Sequence, residues 1–356
     1  MRFRSLLTAA ALGAALAVPA AAPPAAAASP GCDATDAEIY AAPPAAVTGR
    51  PGDLLACRPA KLANIPGDVP MKAWKVRYVS TDAKGAGNVV TGTVAVPDAA
   101  WTKGGSRPTV AFNPGTLGSG PQCAFSKQLA GEYVDMYEGA NLTLFLKAGF
   151  AVAATDGAGY LAGRVHTYMV GANAGHALLD AVRASRRVPG GTLAADGAVG
   201  ISGYSEGGAA ALWGAQLASS YAPELRVVGA AAGGVPGDLK PTAKQLDGGL
   251  FAGFLADALV GLHAAHPEMP FDELMNDRGK QAIKDVPVFQ YRGWLEEIIP
   301  HETEDATRQA YCRAGITTTW NNTYPAEHLS TDLGAAGDVT NFLGDRFEGK
   351  PAQGNC

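Results

Sequence analysis

The stretch Ala198-Val-Gly-Ile-Ser-Gly-Tyr-Ser205-Glu-Gly-Gly-Ala-Ala-Ala-Leu-Trp213 sets a short apolar run against an Ala-rich helical one, with Gly-x-Ser-x-Gly at the joint. A serine hydroxyl at its ordinary pKa is a poor nucleophile, so chemistry at Ser205 needs a base and an accessible position. A strand-to-helix elbow supplies the position. It turns so tightly that Gly203 and Gly207 must lack side chains, and it leaves Ser205 Oγ at the apex. The backbone N–H of Glu206 and the N-terminus of the following helix then face any oxyanion that forms beside Ser205. A Gly/Ser turn in a Gly-rich chain can match the same pattern by chance. Its place between a strand pattern and a helix pattern favours the elbow.

Outward from the elbow the chain alternates. Residues 73–79 and 89–96 show period two across a Gly-rich link and predict an antiparallel pair. Apolar strands then recur at 108–112, 150–154, 198–202, 226–231 and 286–291, with helices predicted at about 139–148, 169–187 and 207–220. Strands that read as continuous apolar runs between helices imply a mostly parallel sheet covered by helices on both faces. An antiparallel entry, parallel strands and a nucleophile elbow together make the α/β-hydrolase arrangement, with a core over 71–235 and 286–356. Residues 236–285 break the rhythm: Gly248–Leu262 carries Phe and Leu on nearly every helical face, and a second helical stretch covers about 271–284. This segment is expected to be a small helical cap inserted over the site.

The ends and the composition set limits. Met1-Arg-Phe-Arg4, an Ala/Leu-rich run from Leu6 to Pro19 and Ala26-Ala-Ala28 read as an export signal over residues 1–28, which implies a secreted protein. Gly31-Cys32 raises a lipoprotein alternative, but Ser29 and Pro30 fit a lipidation site poorly. No later segment is apolar for long enough to span a bilayer, so stable membrane insertion is not expected and any lipid-interface contact is transient. Residues 29–70 are rich in Pro, Ala and Gly and read as an irregular arm. A net charge of −5 without a basic cluster argues against nucleic acid as a partner, and a monomer is expected. The five cysteines, Cys32, Cys57, Cys123, Cys312 and Cys356, have spacings unlike a zinc site, and export makes disulfides the natural use of them. No metal or cofactor is implied: there is no dinucleotide fingerprint and no paired-ligand pattern.

Six histidines are available as the base. His166 and His176 precede Ser205, His263 and His266 fall in the expected cap, and His301 follows a proline. Only His328, in Thr323-Tyr-Pro-Ala-Glu-His328, follows the expected last strand in a turn-like context, where this fold carries its histidine. The acid belongs after the penultimate strand, where Arg292-Gly-Trp-Leu-Glu-Glu-Ile-Ile-Pro300 offers Glu296 and Glu297; order alone does not separate them. The second oxyanion donor belongs to the loop Asn113-Pro-Gly-Thr-Leu-Gly-Ser-Gly120.

These residues resemble the secretory lipase family of α/β-hydrolases over nearly the whole chain after residue 28. The resemblance rests on Gly203-Tyr-Ser-Glu-Gly-Gly208, Ser220-Tyr-Ala-Pro-Glu-Leu225, Asp247–Phe254 with His266-Pro-Glu-Met269, and Tyr324-Pro-Ala-Glu-His328. It implies Ser205 as nucleophile, His328 as base, Glu296 as acid and the N–H of Leu117 as the second oxyanion donor. The family usually carries Asp at the acid position, and bacterial relatives usually have His where this chain has Pro114. It further implies a Cys312–Cys356 disulfide, with Cys32–Cys57 as a second bridge in the arm. Cys123 resembles a cysteine whose partner lies in a longer cap, so here it is expected to be free. The chain thus reads as a bacterial member with a contracted cap. The expected activity is a serine carboxylester hydrolase on ester or lipid substrates, favouring short to medium acyl chains. An acyltransferase or peptidase on the same triad, or a non-catalytic binding relative, are the alternatives.

Overall fold

The computed structural model describes residues 31–133, 138–249, 252–269 and 288–295, and beyond these 301, 305, 308, 309, 312, 313, 317–327, 330, 331, 334, 335, 338 and 351–356. The expected export signal over 1–28, the second helical stretch at 271–284, Glu296, Glu297 and His328 lie outside the described residues. The chain divides into two compact units, one built mainly from residues up to 235 and one from 236 onward with residues 118–120 and 165–171.

The first unit holds a seven-stranded sheet. In chain order its strands are β1 (Leu54–Pro59), β2 (Met71–Thr81), β3 (Gly87–Pro97), β4 (Thr109–Asn113), β5 (Ala151–Gly157), β6 (Val199–Tyr204) and β7 (Val227–Gly233). Their spatial order is β1-β2-β3-β5-β4-β6-β7, antiparallel from β1 to β5 and parallel from β5 to β7. β2 and β3 pair in full register from Met71↔Pro97 to Thr81↔Gly87. Asp82 closes their turn by accepting the N–H groups of Lys84 and Ala86.

Side-chain alternation divides the strands between two cores. Ala151 and Ala153 of β5 join Ala111, Trp74, Val76, Val94 and Ile201 on the face covered by α4 (Gly171–Ser185) and α5 (Glu206–Tyr221). Val152 and Ala154 join Phe112, Ala73 and Ala95 on the opposite face, under α2 (Phe125–Leu129) and α3 (Glu138–Lys147). A period of two thus places apolar side chains on both faces, as continuous apolar runs require. Helices α4 and α5 cross closely at small residues: a Cβ on Gly175 would lie 2.9 Å from the carbonyl carbon of Trp213.

The segment read as an irregular arm contains regular structure, which corrects that part of the sequence reading. Thr35 and Glu38 form a capping box on the one-turn helix α1 (Asp36–Ile39). Strand β1 adds an edge to β2, although Leu54-Leu-Ala-Cys-Arg-Pro59 shows no alternation in sequence. It pairs because tertiary ties hold it there. The Cys32–Cys57 disulfide joins it to the start of the arm, and buried Arg77 of β2 donates to the carbonyls of Glu38, Ile39, Ala41 and Ala42.

The second unit contains α6 (Leu239–Leu246), α7 (Ala252–Ala265) and a parallel pair, β8 (Val288–Gly293) with β9 (Thr318–Tyr324). α7 comes so near the 165–171 loop that a Cβ on Gly261 would lie 2.4 Å from the N of Tyr168. The Cys312–Cys356 disulfide holds the C-terminal residues, and Asn355 brackets Trp320 of β9: Nδ2 donates to its carbonyl and Oδ1 accepts its N–H. Cys123 is a buried free thiol. Among the described residues no helix is long and apolar enough to cross a membrane.

Candidate active site

Strand β6 ends at Tyr204 and α5 begins at Glu206, which leaves one residue, Ser205, to make the whole turn. Its backbone has φ 56° and ψ −117°, a left-handed conformation that costs a non-glycine residue of order 1–3 kcal/mol. Neighbouring bonds hold it there. Ser205 N–H donates to the carbonyl of Gly233 at the end of β7 (2.9 Å), and its carbonyl accepts the first bond of α5 from Ala209 N–H (3.0 Å). Although Ser205 occupies the N-cap position, its hydroxyl makes no capping bond. That position ordinarily spends a serine hydroxyl on the helix, so this one is left for other work.

The glycines around it are required by backbone contact. A Cβ on Gly203 would lie 2.2 Å from the carbonyl oxygen of Gly207, and one on Gly207 would lie 2.1 Å from that of Asn113. Gly208, which the motif does not include, meets the same limit: its Cβ would fall 2.3 Å from the carbonyl oxygen of Gly233. The doubled glycine at 207–208 was the available signal. Together these contacts press the first turn of α5 onto the ends of β4 and β7, so its leading N–H groups and positive dipole end lie at the strand termini.

The loop after β4 shares this edge. Asn113 pairs with Gly203 across the parallel β4–β6 ladder, so the 113–120 loop leaves the sheet beside the elbow. Asn113 Nδ2 donates to the carbonyl of Pro114 (2.9 Å), and Gly115 N–H donates to Glu138 Oε1 (2.5 Å). Leu117 lies half-buried against the aromatic cluster around Phe112 and Phe125. Gly207, next to the expected donor Glu206, is therefore packed on Asn113 and Pro114, where the loop expected to carry the second donor begins.

Within the second unit, the flanks of the expected acid and base are tied to each other. Trp294 N–H donates to the carbonyl of Tyr324 (2.9 Å) and Leu295 N–H to that of Ala326 (3.2 Å). A Cβ on Gly293 would lie 2.1 Å from the Ala326 carbonyl oxygen. The residues leading into Glu296 and His328 thus run side by side at the ends of β8 and β9. Nothing local in the sequence marks Gly293, because its close approach is to a segment remote in sequence. His176 has a different occupation: it stacks on Tyr221 at 4.0 Å between ring centroids, with Nδ1 3.1 Å from the Thr81 carbonyl.

Similarity to known proteins follows the same lines. The secretory lipase family model matches residues 126–285 and 270–355. Lipase A of Moesziomyces aphidis is 38% identical over 143 residues, which is 40% of this chain but 30% of that protein. Lipase 5 of Candida albicans is 27% identical over 370 residues, covering 86% of this chain and 79% of its own. Among solved structures, Candida antarctica lipase A in its closed state superposes with a TM-score of 0.59 at 22% identity, over 89% of this chain and 87% of that one. That likeness establishes the α/β-hydrolase fold.

Proposed function

The chain belongs to the secretory lipase family, a family of lipase-type hydrolases, and on that premise we propose that it is an exported serine carboxylester hydrolase acting through an acyl-Ser205 intermediate. The single observation that carries this reading is the conformation of Ser205. A residue held at φ 56°, with its hydroxyl unused by the helix it caps, is strain kept for a purpose.

In the proposed reaction His328 takes the proton from Ser205 Oγ as the oxygen attacks the ester carbonyl. The carbonyl oxygen becomes an oxyanion, held by the N–H groups of Glu206 and Leu117, each worth ~3 kcal/mol to the transition state. Collapse breaks the bond to the alkoxy oxygen, and the alcohol leaves with the proton from His328. Water, deprotonated by the same imidazole, then releases the acid and restores Ser205. Glu296 fixes the imidazole tautomer and stabilises the imidazolium. Residues 71–235 and 286–356 form the core in this reading, and 236–285 the contracted cap. The segment 1–28 directs export, which suits a protein with two disulfides.

Substrate preference follows from the cap. α7 (Ala-Gly-Phe-Leu-Ala-Asp-Ala-Leu-Val-Gly-Leu-His-Ala-Ala) is apolar enough to favour acyl chains, since each buried methylene contributes ~0.8 kcal/mol. A short cap leaves distal methylenes in water, where they add nothing and still lose freedom on binding. Hydrolysis of p-nitrophenyl butyrate should therefore exceed that of the palmitate ester in kcat/KM by about tenfold or more. A preference for palmitate would refute the short- to medium-chain assignment and leave the triad untouched.

A further inference from the structure

Residues 114–120 have no strand or helix of their own to fix the direction of their N–H groups, yet an oxyanion donor must be aimed before the reaction begins. The peptide between Pro114 and Gly115 is fixed at both polar ends. Its carbonyl accepts Asn113 Nδ2 at 2.9 Å, and its N–H donates to Glu138 Oε1 at 2.5 Å. Glu138 is fully buried at the start of α3, and its other oxygen, Oε2, accepts Asn141 Nδ2 at 2.9 Å. A buried carboxylate is costly to retain without such partners. This one is positioned so that one oxygen serves its own helix and the other reaches across to the loop.

We propose that Glu138 is a positioning residue for ester hydrolysis: by holding the 114–115 peptide plane it sets the orientation of the loop that presents the Leu117 N–H. The inference rests on the serine-hydrolase reading. Glu138 touches no reacting atom in it. Gly207 closes the other side of the same peptide, since its missing Cβ would lie 2.7 Å from the Pro114 carbonyl oxygen. The plane is therefore a strut between the elbow and α3, and releasing Glu138 frees it to rotate. A loosened donor weakens the transition state more than the ground state, so the loss belongs in kcat and not in KM.

The test uses the full chain without its export signal and three variants, Glu138→Gln, Glu138→Asp and Glu138→Ala. Each is assayed for kcat and KM on p-nitrophenyl butyrate, for inhibition by phenylboronic acid, and for Tm. Boronate forms a tetrahedral adduct on the serine that needs the same donors as the oxyanion. Glu138→Asp keeps the charge and loses the reach, and with Glu138→Ala it should lower kcat roughly 30- to 100-fold and weaken boronate inhibition in parallel, with KM changed less than about threefold. Glu138→Gln keeps the acceptor and should stay within about fivefold of wild type. The proposal is overturned if Glu138→Gln is as impaired as Glu138→Asp, or if kcat falls while boronate inhibition holds. Should Glu138→Ala fail to fold, the Gln and Asp pair still decides. Wild-type protein that neither hydrolyses the ester nor binds boronate would instead remove the hydrolase reading itself.

Discussion

Ser205→Ala is expected to lower kcat/KM for p-nitrophenyl butyrate by ~10⁴- to 10⁶-fold, the range found when a triad nucleophile is removed, with Tm changed by no more than a few degrees. Stability should hold because the hydroxyl does not cap α5 and because alanine carries the same Cβ at φ 56°. Ser205→Gly separates the two roles of this position. It should be equally inactive, yet it removes the steric cost of the left-handed backbone and should gain roughly 1 kcal/mol, or about 2–4 °C. A site built for chemistry at the expense of stability gives this opposed pair. Ester hydrolysis and thermal unfolding of both variants check it. Ser205→Ala retaining more than a tenth of the activity would contradict it.

Gly207→Ala should be among the most damaging single-methyl changes in the protein. The new Cβ would start 2.1 Å from the carbonyl oxygen of Asn113, a backbone atom that no rotamer change can move. Either α5 or the end of β4 must shift by about an ångström, and overpacking of this kind costs ~1–3 kcal/mol. Because the displaced atoms carry the proposed nucleophile and oxyanion donors, kcat should fall by ~10²-fold or more even where the protein folds. Gly253→Ala in α7 is the matched control. A Cβ there meets nothing within 4 Å, and in the first turn of α7 the change should leave stability within about 0.5 kcal/mol or raise it slightly. Denaturant unfolding and kcat on the same preparations report both effects. Equal tolerance at the two positions would show that the elbow is looser than its geometry implies.

Much of this was readable from sequence because the strong signals are local. Continuous apolar runs at 108–112, 150–154 and 198–202 appear as β4, β5 and β6, and the alternating pair as β2 and β3. Ser205, Gly203 and Gly207 lie within five residues, so one motif reports them all. What escaped depends on contacts between distant segments. β1 pairs through a disulfide and buried Arg77, neither of which leaves an alternating pattern in Leu54–Pro59. Gly208 and Gly293 are needed only where they meet Gly233 and Ala326. Glu138 ends the stretch Glu132-Tyr-Val-Asp-Met-Tyr-Glu138, and nothing local in it says that the last carboxylate is buried against Gly115. Glu296 and His328 were reached by fold order and family resemblance, and the ties between Leu295 and Ala326 describe only their flanks.

The decisive measurement is peptide mapping of the folded protein after brief exposure to a fluorophosphonate. A single phosphonyl group on Ser205 is expected, absent after heat denaturation and formed ~10³-fold or more slowly in His328→Ala. Phosphonylation at another residue, or labelling of Ser205 at an undiminished rate without His328, would mean that this serine does not owe its reactivity to that histidine.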